Sequence, residues 1–300
     1  MGRTYETQKK EKQMKQVLSF GAGVQSTALL LMSCKGLLPK LDCAIFADVG
    51  NEPKKVYEHL EWCKVEGEKH GIPVVTVKWT EGGLRNDVAS ALSDKDGGRI
   101  AGLPFFTATV EGEVDGMSRR QCTADYKIKP INKYLRTEIL GLKPRQRASK
   151  EVVIKQWMGI SFDESTRAKP ARERWKEHVF PFLDWGMDSP NGKTWRRYQI
   201  INWLEENYPE IVVPRSACII CPFHSNEEWR NVKKNPKEWE DACQFDEAIR
   251  KDQRIIKGSL TSFLYVHRSG KPLREVDLRT DEDKGQGSLW DNECDGMCGL

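Results

Sequence analysis

Apolar residues recur in two rhythms along the first part of the chain. Residues 17–20 form a short apolar run closed by Gly21, Ala22 and Gly23, after which apolar side chains continue at helical density from about Gln25 to Cys34. Gly36 and Pro39 stop that helix. Residues 41–47 are apolar almost without interruption, the pattern of a strand covered on both faces. Pro53 stands at the favoured first position of a second helix, which carries Val56, Leu60 and Val65 and ends near His70-Gly71. Residues 72–78 read as a third strand. Strand, helix, strand, helix, strand at this spacing predicts a parallel sheet with right-handed crossovers. The expected fold class is therefore α/β, a doubly wound and mainly parallel sheet.

The pattern changes beyond residue 80. Residues 81–118 are rich in glycine and polar types around an apolar island, Leu103-Pro104-Phe105-Phe106, and predict a long active-site loop or a small subdomain. A helix is expected up to Leu140, a strand within 151–160, a short strand over 179–183 and a helix over 195–207. Two helices over about 226–234 and 236–251 follow, then a hairpin over 263–278 turning at Ser269-Gly270. The chain thus divides into a flexible charged tail (1–15), an α/β domain (16–225) and a helical and hairpin extension (226–300) ending in a Cys-containing tail.

Composition narrows this picture. With 38% hydrophobic and 31% charged residues, the core is adequate and the surface strongly polar. No apolar run approaches the roughly 20 residues of a membrane span, and residues 1–16 lack the apolar core of a signal peptide. A cytoplasmic protein without a membrane partner is expected. The net charge of +4 is small but unevenly spread: 119–150 holds ten basic residues against two acidic ones, 167–176 adds five basic residues, and 274–295 is acidic. Such asymmetry predicts a basic face for a polyanion or nucleotide, the alternative being solvated helix faces. Nine cysteines, an odd number, argue against a disulfide framework. Cys34, Cys43, Cys63 and Cys243 read as small buried hydrophobes.

Several stretches carry candidate chemistry. A strand, a glycine-rich turn and a helix present backbone N–H groups to an anion. Gly21 and Gly23 allow close approach, and Ser26 and Thr27 place hydroxyls in the first helical turn. An ordinary tight turn is the alternative. Asp48 stands at the C-terminal end of the second strand, where open α/β sheets bind ligands, either contacting a ribose or metal or capping a helix. Cys122 lies among Arg119, Arg120, Lys127 and Lys129, whose charge favours the thiolate that nucleophiles and metal ligands require. Arg167 offers a planar fork for phosphate or sulfate, while Asp163 and Glu164 suit Mg²⁺ or the positioning of Arg167; a salt-bridged turn is the alternative. Cys218-Ile219-Ile220-Cys221-Pro222, with Cys122, supplies three thiols for an iron–sulfur cluster, for zinc with His224 as a fourth ligand, or for a redox dithiol, or else the cysteines are inert. Cys294 and Cys298 are candidates for a fourth ligand or a mobile dithiol.

These stretches resemble, in order, the motifs of the phosphoadenosine phosphosulfate (PAPS) reductase-like family within the PP-loop ATP pyrophosphatase, or adenine nucleotide alpha-hydrolase, superfamily. Gly21-Ala22-Gly23-Val24-Gln25-Ser26 occupies the frame of the loop S-G-G-x-D-S, with Gly21 in place of Ser and Gln25 in place of Asp. Phe46-Ala47-Asp48-Val49-Gly50-Asn51-Glu52-Pro53 is similar to F-x-D-T-G-x-E-P. The segment from Cys122 through Lys127 and Lys129 to Pro130, and Gly159 to Arg167 with its Asp-Glu-Ser core, are similar to two further family segments. The resemblance covers most of 16–225 and implies a Rossmann-like, HUP-type sheet binding an adenine nucleotide, ATP or PAPS, with Mg²⁺. It implies nucleotide-binding roles for Ser19, Gly21, Ala22, Gly23, Gln25, Ser26, Thr27, Asp48, Lys127, Lys129, Gly159, Asp163, Glu164 and Arg167. Catalytic roles fall to Cys122, Asp48 and Arg167, and cluster ligation to Cys122, Cys218 and Cys221. The activity it implies is ATP-dependent adenylation and sulfur transfer to a nucleic acid, fed by a sulfur-donor protein. The alternatives are a sulfonucleotide reductase releasing sulfite and a non-catalytic nucleotide effector.

Overall fold

A computed structural model describes residues 14–93, 102–109, 111–183, 193–250, 262–279 and 283. The charged tail over 1–13, and Cys294 and Cys298, lie outside the described residues. The chain opens with β1 (Lys15–Phe20), α1 (Val24–Cys34), β2 (Cys43–Ala47), α2 (Lys54–Lys69) and β3 (Val74–Val77), close to the order and positions that the apolar rhythm predicts. Next come α3 (Gly83–Ser93), β4 (Phe106–Ala108), β5 (Val114–Met117), α4 (Lys129–Tyr134), β6 (Ile154–Met158), β7 (Lys176–Val179), α5 (Arg197–Asn207), α6 (Asn226–Lys233), α7 (Pro236–Arg250) and β8 (Phe263–Tyr265).

Five strands form one sheet in the order β3-β2-β1-β6-β7, and every neighbouring pair is parallel. The chain winds outward from β1 on one side, then returns to its other side through β6. The reversal point lies between β1 and β6, where a crevice opens at the strands' C-terminal ends. Alternation along the strands builds two apolar layers. Leu18, Phe20, Ala44, Phe46 and Trp157 face α1, α2 and α5, whose Leu29, Leu60 and Ile200 complete that core. Val17, Cys43, Ile45 and Ile154 face the other way, against Ile131 and Leu135. Cys43, Cys63 and Cys243 are buried, and burial pushes the Cys43 and Cys63 thiols up to about 12.

Residues 123–139 form one helical run in which π-helical turns (Thr123–Ile128 and Leu135–Ile139) flank α4. Pro130, with no N–H to give, falls where the π register meets the α register. The stretch read as a long loop or small subdomain is built as structure. It supplies α3 and the hairpin β4–β5, which β8 joins in a three-stranded sheet ordered β5-β4-β8. A second core gathers Leu84 and Phe105 from this region with Ile220, Trp229, Phe245 and Val266. The 226–278 segment therefore shares its core with 84–126.

Two elements differ from expectation. The strand expected over 179–183 lies earlier, at Lys176–Val179, and Phe180 to Leu183 form a turn. The hairpin expected over 263–278 does not close on itself. β8 pairs with β4, and the chain beyond Gly270 passes through Pro272 into a 3-10 turn, Leu273–Glu275. The buried Asp246 carboxylate accepts the N–H groups of Val266 (3.1 Å) and Leu273 (2.8 Å), which takes both halves of the expected hairpin out of register.

Candidate functional site

A cavity of about 640 Å³ opens at the C-terminal ends of β1 and β6, between the sheet and the helical run that starts at Thr123. Its size suits a nucleotide-scale ligand. The turn after β1 forms one wall. Ala22 takes a left-handed conformation (φ 57°) and Gly23 is extended, so consecutive backbone N–H groups turn inward. Ser26 Oγ accepts from Gly21 N (3.2 Å) and Gly23 N (3.3 Å) and donates to the Gly23 carbonyl. The Ser26 hydroxyl thus holds the loop in shape at the place where an anion's oxygen would sit. Above it, the first-turn N–H groups of α1 have no partner further back in the helix, as at every helix start.

Gly159 closes the loop from behind. A Cβ there would lie 3.0 Å from Ser26 N and 3.2 Å from Gln25 C, so only glycine lets the end of β6 come this near to α1. Gln25 bridges two later segments: its Nε2 donates to Glu164 Oε2 (3.1 Å) and its Oε1 accepts from Arg197 (3.2 Å). Glu164 also accepts from Arg167 at 2.5 Å. An aspartate at position 25 could not make the donation to Glu164, so glutamine is matched to its surroundings here.

Of the residues singled out from the sequence, Ser19, Gly21, Gly23, Gln25, Ser26, Lys127, Lys129, Gly159, Glu164 and Arg167 line this one cavity. The others stand apart. Ala22 is buried with its methyl in the core. Thr27 faces α2, where its Oγ1 meets His59 Nε2 at 2.9 Å. Asp48 accepts from Gly50 N and Tyr57 OH (both 2.8 Å) and pairs with Lys78 (3.2 Å), so it locks the turn after β2. Asp163 accepts from Arg197 N at 2.6 Å and caps α5.

Two of the three thiols belong to residues next in sequence to the wall. Thr123, beside Cys122, and Ala217, beside Cys218, both line the cavity. Cys122 and Cys218 pack against the same second core. The Cys-x-x-Cys turn docks on the segment after β2: Asn51 accepts the N–H of Ile219 through its carbonyl (2.9 Å) and that of Ile220 through Oδ1 (3.3 Å). The buried Glu52 carboxylate lies 3.9 Å from Cys218 Sγ and 3.8 Å from Lys127 Nζ. Thus Asn51 and Glu52 tie the Cys122 and Cys218 segments together. Among the described residues, however, no three His, Cys, Asp or Glu side chains are grouped closely enough to hold a metal ion. Thiols are the donors that an iron–sulfur cluster or zinc takes, but Cys122, Cys218 and Cys221 are not gathered at a common point. His224 is committed elsewhere. Its Nε2 lies 2.9 Å from the Cys218 carbonyl and its Nδ1 3.6 Å from Glu228, so both ring nitrogens face partners. Burial would push the Glu228 carboxyl up, but His224, the Ser225 N–H and Arg215 outweigh it and hold the group below its usual range.

Other lining residues emerge only from the fold: Arg197, Arg215 and Ser216, and a polar chain across the sheet. Gln156 donates to Ser19 Oγ (2.6 Å), and the buried Lys176 donates to Gln156 Oε1 (2.8 Å) and Asn132 Oδ1 (2.6 Å). Burial lowers the Lys176 pKa, opposed by Glu173 at 3.4 Å. The 167–176 charge cluster was the signal for the basic residues at this end. Among known proteins, the chain matches no family model and no curated protein.

Proposed function

We propose that this chain is a nucleotide-dependent enzyme of the PAPS reductase-like kind, which adenylates a nucleic-acid substrate with ATP and then exchanges the adenylate for sulfur. The observation that carries the reading is the meeting of the 21–27 loop, Lys127, Lys129 and Arg167 in one cavity, with Cys122 and Cys218 next in sequence to residues of its wall. In this reading the loop N–H groups and Arg167 hold the polyphosphate, and Mg²⁺ would sit toward Glu164, a carboxylate in the lining. Phe46, Ile128 and Ile131 offer an apolar wall to the base. An oxygen of the acceptor attacks the α-phosphorus and pyrophosphate leaves with the electron pair of the broken P–O bond. The terminal sulfur of a donor protein's persulfide then attacks the activated acceptor atom, and AMP leaves with the electron pair of its bond to that atom. A second thiol of the donor protein cleaves the linking S–S bond, so that the donor departs as a disulfide and the sulfur stays on the acceptor. The surplus of cations around the cavity favours an acceptor that is itself a polyanion. Cys122, Cys218 and Cys221 would hold an iron–sulfur cluster, or zinc, which supplies a site where sulfur is held close to the nucleotide.

A second reading, a nucleotide-binding effector that does not cleave, is favoured by Gln25. That side chain is neutral and engaged by both Glu164 and Arg197, so it offers no carboxylate to a metal. Incubation with ATP or PAPS separates the readings. Pyrophosphate and AMP release supports adenylation, sulfite release points to sulfonucleotide reduction, and saturable binding without turnover points to the effector. Iron, zinc and sulfide analysis after anaerobic purification tests the thiols. Iron and sulfide lost in Cys218→Ala supports a cluster; wild-type protein free of both iron and zinc overturns the metal assignment.

A further inference from the structure

Exposed aromatic rings flank the mouth of the cavity on two sides. On the β3 side, Trp79 follows the end of its strand by two residues and is 44% exposed. The ammonium of Lys129, a lining residue, lies 5.3 Å from the centroid of its ring. On the β6 side, Phe162 is 39% exposed and carries the Arg196 guanidinium at 5.4 Å. Tyr198, 59% exposed, follows Arg197, which lines the cavity. Two backbone donors fix this group: Phe162 N–H to the Trp195 carbonyl (2.9 Å) and Arg197 N–H to Asp163 (2.6 Å). β3 and β6 lie three strand spacings apart in one parallel sheet, about 14 Å, so both ring groups stand at the same edge of the sheet. A single exposed ring is ordinary. Rings under cations on both sides of one cavity form a surface that suits a ligand with flat apolar faces and negative charge. The acidic neighbours are Asp125 beside Lys129 and Asp163 at 3.6 Å from Arg196. Exposed pairs of this kind hold little energy and yield to a phosphate.

We infer that Trp79, Phe162 and Tyr198 are stacking platforms for the unpaired bases of a single-stranded nucleic acid laid across the mouth, with Lys129 and Arg196 beside its phosphates. The inference rests on reading the acceptor as a nucleic acid, and it narrows that acceptor to an unpaired stretch. Rings stack on bases whose faces are open, which a duplex keeps between neighbouring pairs. A base that reacts inside a recessed cavity must also leave its own stack to enter. The span between the two ring groups is that of a few nucleotides, so the strand is gripped on both sides of the base presented to the cavity. Unpaired bases on a phosphodiester chain are the shared chemistry, and RNA or DNA can supply them.

The test is fluorescence anisotropy of the full chain with labelled oligomers of about 12 nucleotides, within the usual site sizes of such grooves: oligouridine, oligothymidine, an abasic strand of the same length and a duplex. Wild-type protein is expected to bind oligouridine or oligothymidine at least about tenfold more tightly than the abasic strand or the duplex. The tighter of the two identifies RNA or DNA as the source. Trp79→Ala and Tyr198→Ala should each weaken binding of the base-bearing strand about tenfold and leave the abasic strand within about twofold. Trp79→Phe and Tyr198→Phe, which keep a ring, should restore most of the affinity. Both side chains are exposed, so the variants keep their fold, which melting curves check; if one alanine variant unfolds, the other decides. Alanine variants that bind like the wild type, or that lose the base-bearing and abasic strands alike, overturn the platforms and leave the nucleic-acid acceptor standing. Equal wild-type affinity for strand and duplex overturns the preference for unpaired bases. Wild-type protein that binds no nucleic acid ends the nucleic-acid reading and this inference with it.

Discussion

Replacing Gly159 by alanine tests the loop at its tightest point. The added methyl would meet Ser26 N at 3.0 Å, and Gln25 C and Cβ at 3.2 Å. Two of these are backbone atoms in the first turn of α1, which cannot swing aside as a side-chain tip does. Gly159 does not use the left-handed region, so alanine adds no backbone strain and the contact alone is measured. Pushing α1 away by a few tenths of an ångström is an overpacking event worth about 1–3 kcal/mol. For a domain of this order of size, Tm should fall by roughly 2–4 °C per kcal/mol. The same shift moves the Ser26 N–H and the Gln25 bridge, so ATP affinity should fall about tenfold, equivalent to about 1.4 kcal/mol. Differential scanning calorimetry and ATP titration on one preparation read both quantities. A variant that melts and binds like the wild type would refute the close approach. One that melts earlier but keeps full ATP affinity would show that this loop does not hold the phosphates.

Gln25→Asp replaces a donor to Glu164 with a second carboxylate beside it. It should lower Tm and leave nucleotide cleavage no faster, and faster pyrophosphate release would contradict the role given to Gln25. Asp246→Asn removes a fully buried charge that faces Arg250 at 2.7 Å and accepts two backbone N–H groups. Breaking such a pair should cost about 3–5 kcal/mol in urea unfolding, and a loss below about 1 kcal/mol would count against it. Burial pushes both His59 and His267 down to about 4. Between that value and the ordinary 6.5, the unfolded chain binds the protons first, so stability should fall as pH drops through this window. Melting curves from pH 7 to 4 check this, and His59→Asn should flatten part of the slope; an unchanged Tm across the range would contradict it.

The apolar rhythm made β1 to β3 and their helices legible, because strands covered on both faces leave little room for another pattern. β7 escaped it. Lys176 and His178 point toward the cavity, so the strand reads as polar, and the apolar pattern falls on the residues after it. The expected hairpin failed on a long-range event, the capture of two backbone N–H groups by Asp246, which no local pattern announces. Within the site, spacing showed that Asp48 ends a strand but not that Gly50 and Tyr57 would engage its carboxylate. Thr27 follows Ser26 by one residue, and the helical turn of about 100° sends it to α2 instead of the cavity. Arg197 reaches Gln25 across 172 residues of sequence, and Arg215 lines the same cavity from further along the chain, beyond the reach of any motif.

The central claim is that the cavity beyond β1 and β6 holds an adenine nucleotide with its phosphates on the 21–27 loop. A crystal structure with a non-hydrolysable ATP analogue measures this most directly. The account predicts phosphate oxygens within hydrogen-bond distance of the loop's backbone N–H groups, with Arg167 turned toward them. Analogue density elsewhere on the protein, with this cavity left to solvent, would contradict it.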